Sequence, residues 1–192
     1  MEVQILFRPL NRNKNMIDKV SIMNKARKEY SQQHEITVRE EAKRTFNQYK
    51  DTPLFVAGIM LYWAEGMMSN AARGSRYTLA LSNSKYELLK IYCSFIRRFL
   101  NLPDKKLRVC LFLYPDLKES KIKRFWSKKL CVPISQFNKS IILNSRARIT
   151  KNRLLYGTCK ILANSRDARI IMETWIDCFY KHNLSKSDKM RE

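Results

Sequence analysis

Apolar residues change their spacing several times along the chain, and each change marks an element. Residues 1–12 show no period. Between Asn13 and Gln33, Met16, Val20, Met23 and Tyr30 fall near helical spacing in a strongly polar setting. Thr37-Val-Arg-Glu40 has the form of a capping box, and Val38, Ala42, Phe46 and Tyr49 then share a face, which predicts a helix over 38–50. Thr52 as N-cap and Pro53 at the first helical position start the next helix. It runs from Leu54 to Ala64, is apolar nearly all round, and is therefore expected to be buried on most sides. It ends at Glu65-Gly66. Met67–Arg73 and Arg76–Asn83 then read as a hairpin about Gly74-Ser75. In its second arm Tyr77, Leu79 and Leu81 point one way, and Arg76, Thr78, Ala80 and Ser82 the other.

Ser84-Lys-Tyr-Glu87 is a second capping box, opening a helix with the stripe Tyr86, Leu89, Cys93, Ile96 and Leu100 that Leu102-Pro103-Asp104 closes. Lys106–Tyr114 alternates, with Leu107, Val109, Leu111 and Leu113 on one face and Lys106 and Arg108 on the other. Asp116 with Glu119 opens a helix carrying Ile122, Phe125, Trp126 and Leu130, stopped by Val132-Pro133. Residues 134–152 are basic, with a short strand predicted at Ser140–Leu143. Arg153–Ala163 reads as a strand, with Leu155, Gly157, Cys159, Ile161 and Ala163 opposite Tyr156, Thr158 and Lys160. Ser165 caps a last helix bearing Ile171, Trp175, Cys178 and Phe179, and a polar tail follows Leu184.

The order is mixed α+β. The expected organisation is a basic helical arm or linker over 1–50, a domain over 51–183 and a tail over 184–192. A reduced helix-turn-helix in the first fifty residues is the other reading of that segment, but its turn glycine and second apolar stripe are absent.

Composition narrows the chemistry. The longest uncharged run, Thr52 to Ala64, is 13 residues, short of the roughly 20 that a membrane-spanning helix needs. The N-terminus carries an acid too early for a signal peptide. Four glycines, Gly58, Gly66, Gly74 and Gly157, assemble no phosphate-cradling loop. Two histidines, His34 and His182, speak against a catalytic triad or a His-rich metal centre. Five cysteines, 93, 110, 131, 159 and 178, lack any CxxC pairing and read as buried thiols of a cytoplasmic protein.

Charge changes the picture most. Lys and Arg number 38 against 17 Asp and Glu, a formal net charge of +21. Residues 118–160 hold 12 basic side chains and one acid, Glu119. One lysine on a helix is a solvated face, but a set without compensating acids repels itself until a polyanion neutralises it. Each predicted strand has one apolar face and one basic or hydroxyl-bearing face, and a twisted sheet of that kind can lie along a DNA groove. A membrane surface fits less well, because the cations alternate on strands instead of lining one amphipathic helix. RNA is a third possible partner, since Tyr and Trp on a basic sheet can stack unpaired bases.

Glu65 is the local anomaly. It ends a buried helix where carbonyls are unsatisfied and the macrodipole is negative, an unfavourable place for a carboxylate. A divalent cation would reverse the sign, with oxygen ligands from Glu65 and the Ala64 carbonyl. The plain alternative is a helix-end Glu paired with a neighbouring Lys or Arg.

Leu54–Gly66, with small residues at a helix contact and an acid-glycine end, resembles the helix of the LAGLIDADG homing endonuclease family. Small prokaryotic members of that superfamily are similar through Leu61-Tyr-Trp-Ala-Glu-Gly66, Ser82-Asn-Ser84, Leu107–Tyr114, Arg124-Phe-Trp126 and Tyr156-Gly-Thr-Cys159, together spanning about residues 53–180. The resemblance implies an αββαββα unit with a mixed or antiparallel sheet on the DNA major groove, here with an extra helix before the last strand and an N-terminal helical arm. With one motif per chain it implies a homodimer, with Ala57, Gly58 and Leu61 at the two-fold axis. It puts Glu65 in the place of the metal-binding acid of a Mg²⁺-dependent double-stranded-DNA endonuclease, joined by Ala64. Relatives on this fold include DNA-binding regulators that do not cut. This chain departs from the family in having Glu for the usual Asp, Trp63 beside it, and an extra helix before the last strand. Charge and resemblance together nominate Arg73, Arg76, Thr78, Arg108, Arg146, Arg148, Lys151, Arg153 and Lys160 as DNA contacts.

Overall fold

The computed structural model describes residues 12–67, 77–143 and 154–189, with side chains for 19–67, 77–143 and 154–184. The elements are α1 (Arg12–Tyr49), α2 (Pro53–Glu65), β1 (Thr78–Asn83), α3 (Tyr86–Phe99), β2 (Leu107–Leu113), α4 (Glu119–Leu130), β3 (Ile141–Ile142), β4 (Thr158–Asn164) and α5 (Arg166–Lys189). The fold is α+β, with a mixed four-stranded sheet in the order β1-β4-β2-β3.

The first helix is not two pieces. The Thr37–Glu40 box does not start a helix, because no Gly or Pro interrupts the chain between Arg12 and Thr37. The Thr37 hydroxyl instead bonds back to the Gln33 carbonyl at 3.2 Å, as a threonine inside a helix does. The second half of α1 lies along α5. Val38, Ala42 and Phe46 are buried, and Trp175 Nε1 donates to the Ala42 carbonyl at 2.9 Å. The Ser84 box also fails as a cap. Helix α3 starts at Tyr86, and it is the Asn83 carboxamide that accepts from the Lys85 N–H at 2.9 Å. Ser165 does cap α5, its hydroxyl accepting from the Ala168 N–H at 3.3 Å.

Strands β1 and β2 both pair antiparallel with β4, while β3 runs parallel to the end of β2. The predicted strand from Arg153 begins later, at Thr158. Leu154 to Tyr156 form a turn closed by the Gly157 N–H on the Leu154 carbonyl at 3.2 Å. Gly157 adopts φ +63°, and a Cβ there would press on the Phe112 carbonyl, so glycine is required. Of the predicted hairpin's first arm only its beginning is described. Gly66 pairs antiparallel with Leu81, and the Met67 N–H bonds to the Ala80 carbonyl at 2.8 Å. The remainder, with Gly74-Ser75, lies outside the described residues.

Alternation along the strands sends Leu79, Leu81, Leu107, Val109, Leu111, Cys159, Ile161 and Ala163 into a single core with Phe55, Ile59 and Tyr62 of α2, Leu89, Cys93 and Phe95 of α3, Trp126 of α4 and Trp175 of α5. Aromatic rings fill its centre: Phe55 meets Trp175 edge-on at 4.8 Å and Phe99 at 5.0 Å. The thiols are free, but not all buried. Cys93, Cys110 and Cys159 are, whereas Cys178 is half-buried and Cys131 is exposed at the left-handed residue that ends α4.

Candidate nucleic-acid interface

Strand register decides which side chains share the sheet's other face. Thr78 stands opposite Asn164, and Leu162 lies between Ala80 and Arg108. Lys160 lies between Ser82 and Cys110, and Thr158 opposite Phe112. Cross-strand partners point to the same side, so Thr78, Arg108 and Lys160 come together on one surface. None of these residues belongs to the core cluster. Arg108 is exposed, and Thr78 and Lys160 are half-buried.

The turn at Asp104–Lys106 extends this surface. A concavity of 370 Å³ is lined by Thr78, Lys105, Lys106, Arg108, Asn138, Leu162 and Asn164, with no carboxylate among them. The face offers flexible cations, amide and hydroxyl groups, and a short apolar floor at Leu162. That combination can neutralise phosphates and hydrogen-bond to base edges. Lys160 also stands beside the Cys110 thiol, which burial pushes up and the lysine charge pulls back. Lys105, Asn138 and Asn164 were not nominated by the sequence. Their only signal is proximity: Asn138 arrives through the parallel course of 137–142 beside β2, Asn164 through the pairing of β4 with β1, and Lys105 in the turn that leads into β2.

Arg73, Arg76, Arg146, Arg148, Lys151 and Arg153 lie outside the described residues.

Glu65 is the last residue of α2, exposed, and among the described residues it makes no ion pair or hydrogen bond. The plain expectation of a helix-end Glu paired with a neighbouring cation is therefore not met. Ala64 beside it is also exposed. The turn that follows is held tightly. The Gly66 N–H bonds to the Tyr62 carbonyl at 2.8 Å, and the Met67 carbonyl accepts from the Tyr62 hydroxyl at 3.1 Å. Arg169 of α5, 5% exposed, donates to the Tyr62 hydroxyl at 2.6 Å and to the Met67 carbonyl at 3.1 Å. Glu173 balances its charge at 2.7 Å. The result is a fixed turn beside β1, from which the Glu65 side chain projects into solvent. Arg169 escaped the sequence reading, although an arginine one turn before Met172 and two before Ile176, both buried, was the available signal.

A divalent cation takes several oxygen ligands. Among the described residues no group of three or more His, Cys, Asp or Glu side chains could hold one. Glu65 with the neighbouring Ala64 carbonyl therefore fits such an ion only in part.

The expected axis residues separate. Gly58 is buried, and a Cβ on it would overlap the Phe95 ring of α3, so its small size serves packing within the chain. Leu61 is half-buried against the core, and Ala57 is half-buried. The exposed side of α2 instead carries Met60 and Trp63, each 41% exposed, with Ala64 and Met67 continuing the stripe.

A second cleft, of 580 Å³, opens between α1 and α5 and is an ion-pair seam. Glu35 receives Arg39 at 2.8 Å and Arg166 at 3.4 Å, and the Arg39 hydrogen bond holds its carboxyl below the usual range. Its three arginines, Arg39, Arg166 and Arg169, are committed to carboxylates, unlike the cations on the sheet. No described helix is long and apolar enough to cross a membrane. Comparison of the chain with protein-family models, curated proteins and solved structures returns no match.

Proposed function

We propose that the chain binds double-stranded DNA on the outer face of its sheet. The observation that carries this is the acid-free concavity around Arg108, Lys105 and Lys106, with Thr78 and Asn164 beside it, in a chain of net charge +21. Two copies pair through the exposed stripe of α2, which brings their Glu65 side chains together. The pair of carboxylates then completes the Mg²⁺ site that one chain lacks, and the protein is a site-specific phosphodiester endonuclease of the homing type. The metal would supply water activation and charge stabilisation. The chain's own part is to fix, through Tyr62, Met67 and Arg169, the turn from which each Glu65 projects.

A second reading is favoured by the solitary, exposed state of Glu65: a non-catalytic DNA-binding regulator on the same scaffold. A randomised duplex library incubated with Mg²⁺ separates the two. The endonuclease cuts some members and Glu65→Gln abolishes cutting, while the regulator binds selected members without cutting and Glu65→Gln leaves binding intact. For the shared claim, Arg108→Gln with Lys160→Gln should flatten the fall of log affinity with log salt by about 0.9 for each phosphate no longer neutralised. Preference for unpaired RNA over duplex DNA in direct competition would overturn it.

A further inference from the structure

We propose that the outward face of α4 is a second, sequence-independent contact surface for the phosphate backbone of duplex DNA; this rests on the duplex-binding reading above.

Strands β2 and β4 pair directly, and antiparallel neighbours need only a tight turn between them. The chain instead inserts residues 114–157 there. Helix α4 of that insertion is rigidly seated. Ile122, Trp126 and Leu130 are 4%, 0% and 1% exposed, and Trp126 Nε1 donates to the Tyr156 carbonyl at 2.9 Å. The Phe125 and Tyr156 rings stack at 3.6 Å, within 6° of parallel.

Directly opposite the buried stripe stand Lys121, Arg124 and Lys128, all exposed, at i, i+3 and i+7. Among the described residues none of them has an ion-pair partner. The helix's one carboxylate, Glu119, is already held by Lys123 and the Ser140 hydroxyl, both at 2.8 Å, and these bonds draw its pKa down.

Helix stability does not account for the stripe. Like charges three and four residues apart repel. The macrodipole rewards cations in the last turn, which covers Lys128, but disfavours Lys121 in the first. An external polyanion accounts for all three. Lys121 and Lys128 are about 10 Å apart along the axis, and one DNA strand presents a phosphate about every 3.4 Å of rise. At the Lys121 end the stripe meets a recess of 360 Å³ where Lys118 and Lys121 share the lining with Asp116 and with the apolar Leu155 and Tyr156, so it is the stripe and not the recess that presents uncompensated charge. Flexible cations of this kind read charge and not sequence. An anionic membrane is the poorer partner, because the apolar face that would insert is occupied by the core.

The test replaces Lys121, Arg124 and Lys128 together by Gln in the full chain. The melting temperature should be unchanged, since all three are exposed. Fluorescence anisotropy with a mixed-sequence duplex, titrated from 50 to 200 mM salt, should show the slope of log affinity against log salt flattened by about 2 to 3. A slope equal to wild type overturns the proposal, and so does loss of binding to anionic phospholipid vesicles with duplex binding untouched. The arms separate from those of the sheet. If the α4 variant flattens the slope while Arg108→Gln with Lys160→Gln does not, the sheet reading fails and this surface stands. If wild type binds no duplex at any salt, both fall.

Discussion

The guanidinium of Arg169 lies 2.6 Å from the Tyr62 hydroxyl, and through that contact α5 holds the exit of α2. The same group reaches the Met67 carbonyl, so one buried cation fixes the turn that presents Glu65. Arg169→Met keeps much of the volume and removes these bonds. It leaves Glu173 without this partner, but that carboxylate is 36% exposed and recovers water. Guanidine denaturation should show a loss of about 2–3 kcal/mol. A loss below about 0.5 kcal/mol would mean that the turn stands without the arginine.

Gly58 separates packing from assembly. Adding a methyl group forces it into the Phe95 ring, itself enclosed by Phe55, Phe99 and Trp175. Overpacking costs about 1–3 kcal/mol, and relief of glycine's helix penalty returns about 1 kcal/mol. Gly58→Ala should therefore lower stability by up to about 2 kcal/mol without altering molar mass in light scattering.

Assembly is probed at Met60, 41% exposed on the other side of α2. Met60→Asp should leave the melting temperature within a few degrees and convert dimers to monomers in light scattering. A wild type that is monomeric at tens of micromolar contradicts the pairing proposed for α2.

Tyr92 is fully buried, stacked between Tyr62 and Phe95, and its hydroxyl has no hydrogen-bond partner among the described residues. Burial pushes its ionisation well above the ordinary value. An unpaired buried hydroxyl costs about 1–3 kcal/mol of desolvation. Tyr92→Phe should thus match or exceed wild type in denaturant midpoint, and a loss above about 1 kcal/mol would reveal a bond to that oxygen.

The thiols give a pH dependence with a definite sign. Burial pushes the Cys93 thiol up to about 12, and raises that of Cys159 as well. Both stay neutral in the folded chain while unfolded thiols ionise near 8.5. Stability is therefore whole below that pH and falls as pH rises toward 12, by up to about 1.4 kcal/mol per unit for each thiol. Cys93→Ala should shallow that alkaline slope, although it lowers stability at neutral pH by opening a cavity. Alkylation at pH 8 should label exposed Cys131 first, and Cys93 and Cys159 only on unfolding.

Much of the fold was legible because local rules agreed with one another. Alternation at Leu107 to Leu113 and from Thr158 onward, the Thr52-Pro53 start of α2 and the Ser165 cap all depend on neighbours a few residues apart. The misreadings arose where two local signals competed. Thr37 and Ser84 each match a cap motif, but a threonine hydroxyl within a helix can satisfy itself on the preceding turn, and at α3 it is the Asn83 side chain that bonds the backbone, at the Lys85 N–H.

The sequence by itself determined the α+β class, the alternation of apolar with basic or hydroxyl-bearing positions along β1, β2 and β4, and the large positive charge, because alternation and composition are properties of the chain alone. Only the tertiary structure decided that β4 runs between β1 and β2, since pairing partners are chosen by the closing of one core and not by spacing. That choice set Thr78, Arg108 and Lys160 on one surface, turned Gly58 inward onto Phe95 and put Arg169 under the α2 exit. Each of these joins residues far apart in sequence, where a contact exists only once the layers between them have packed.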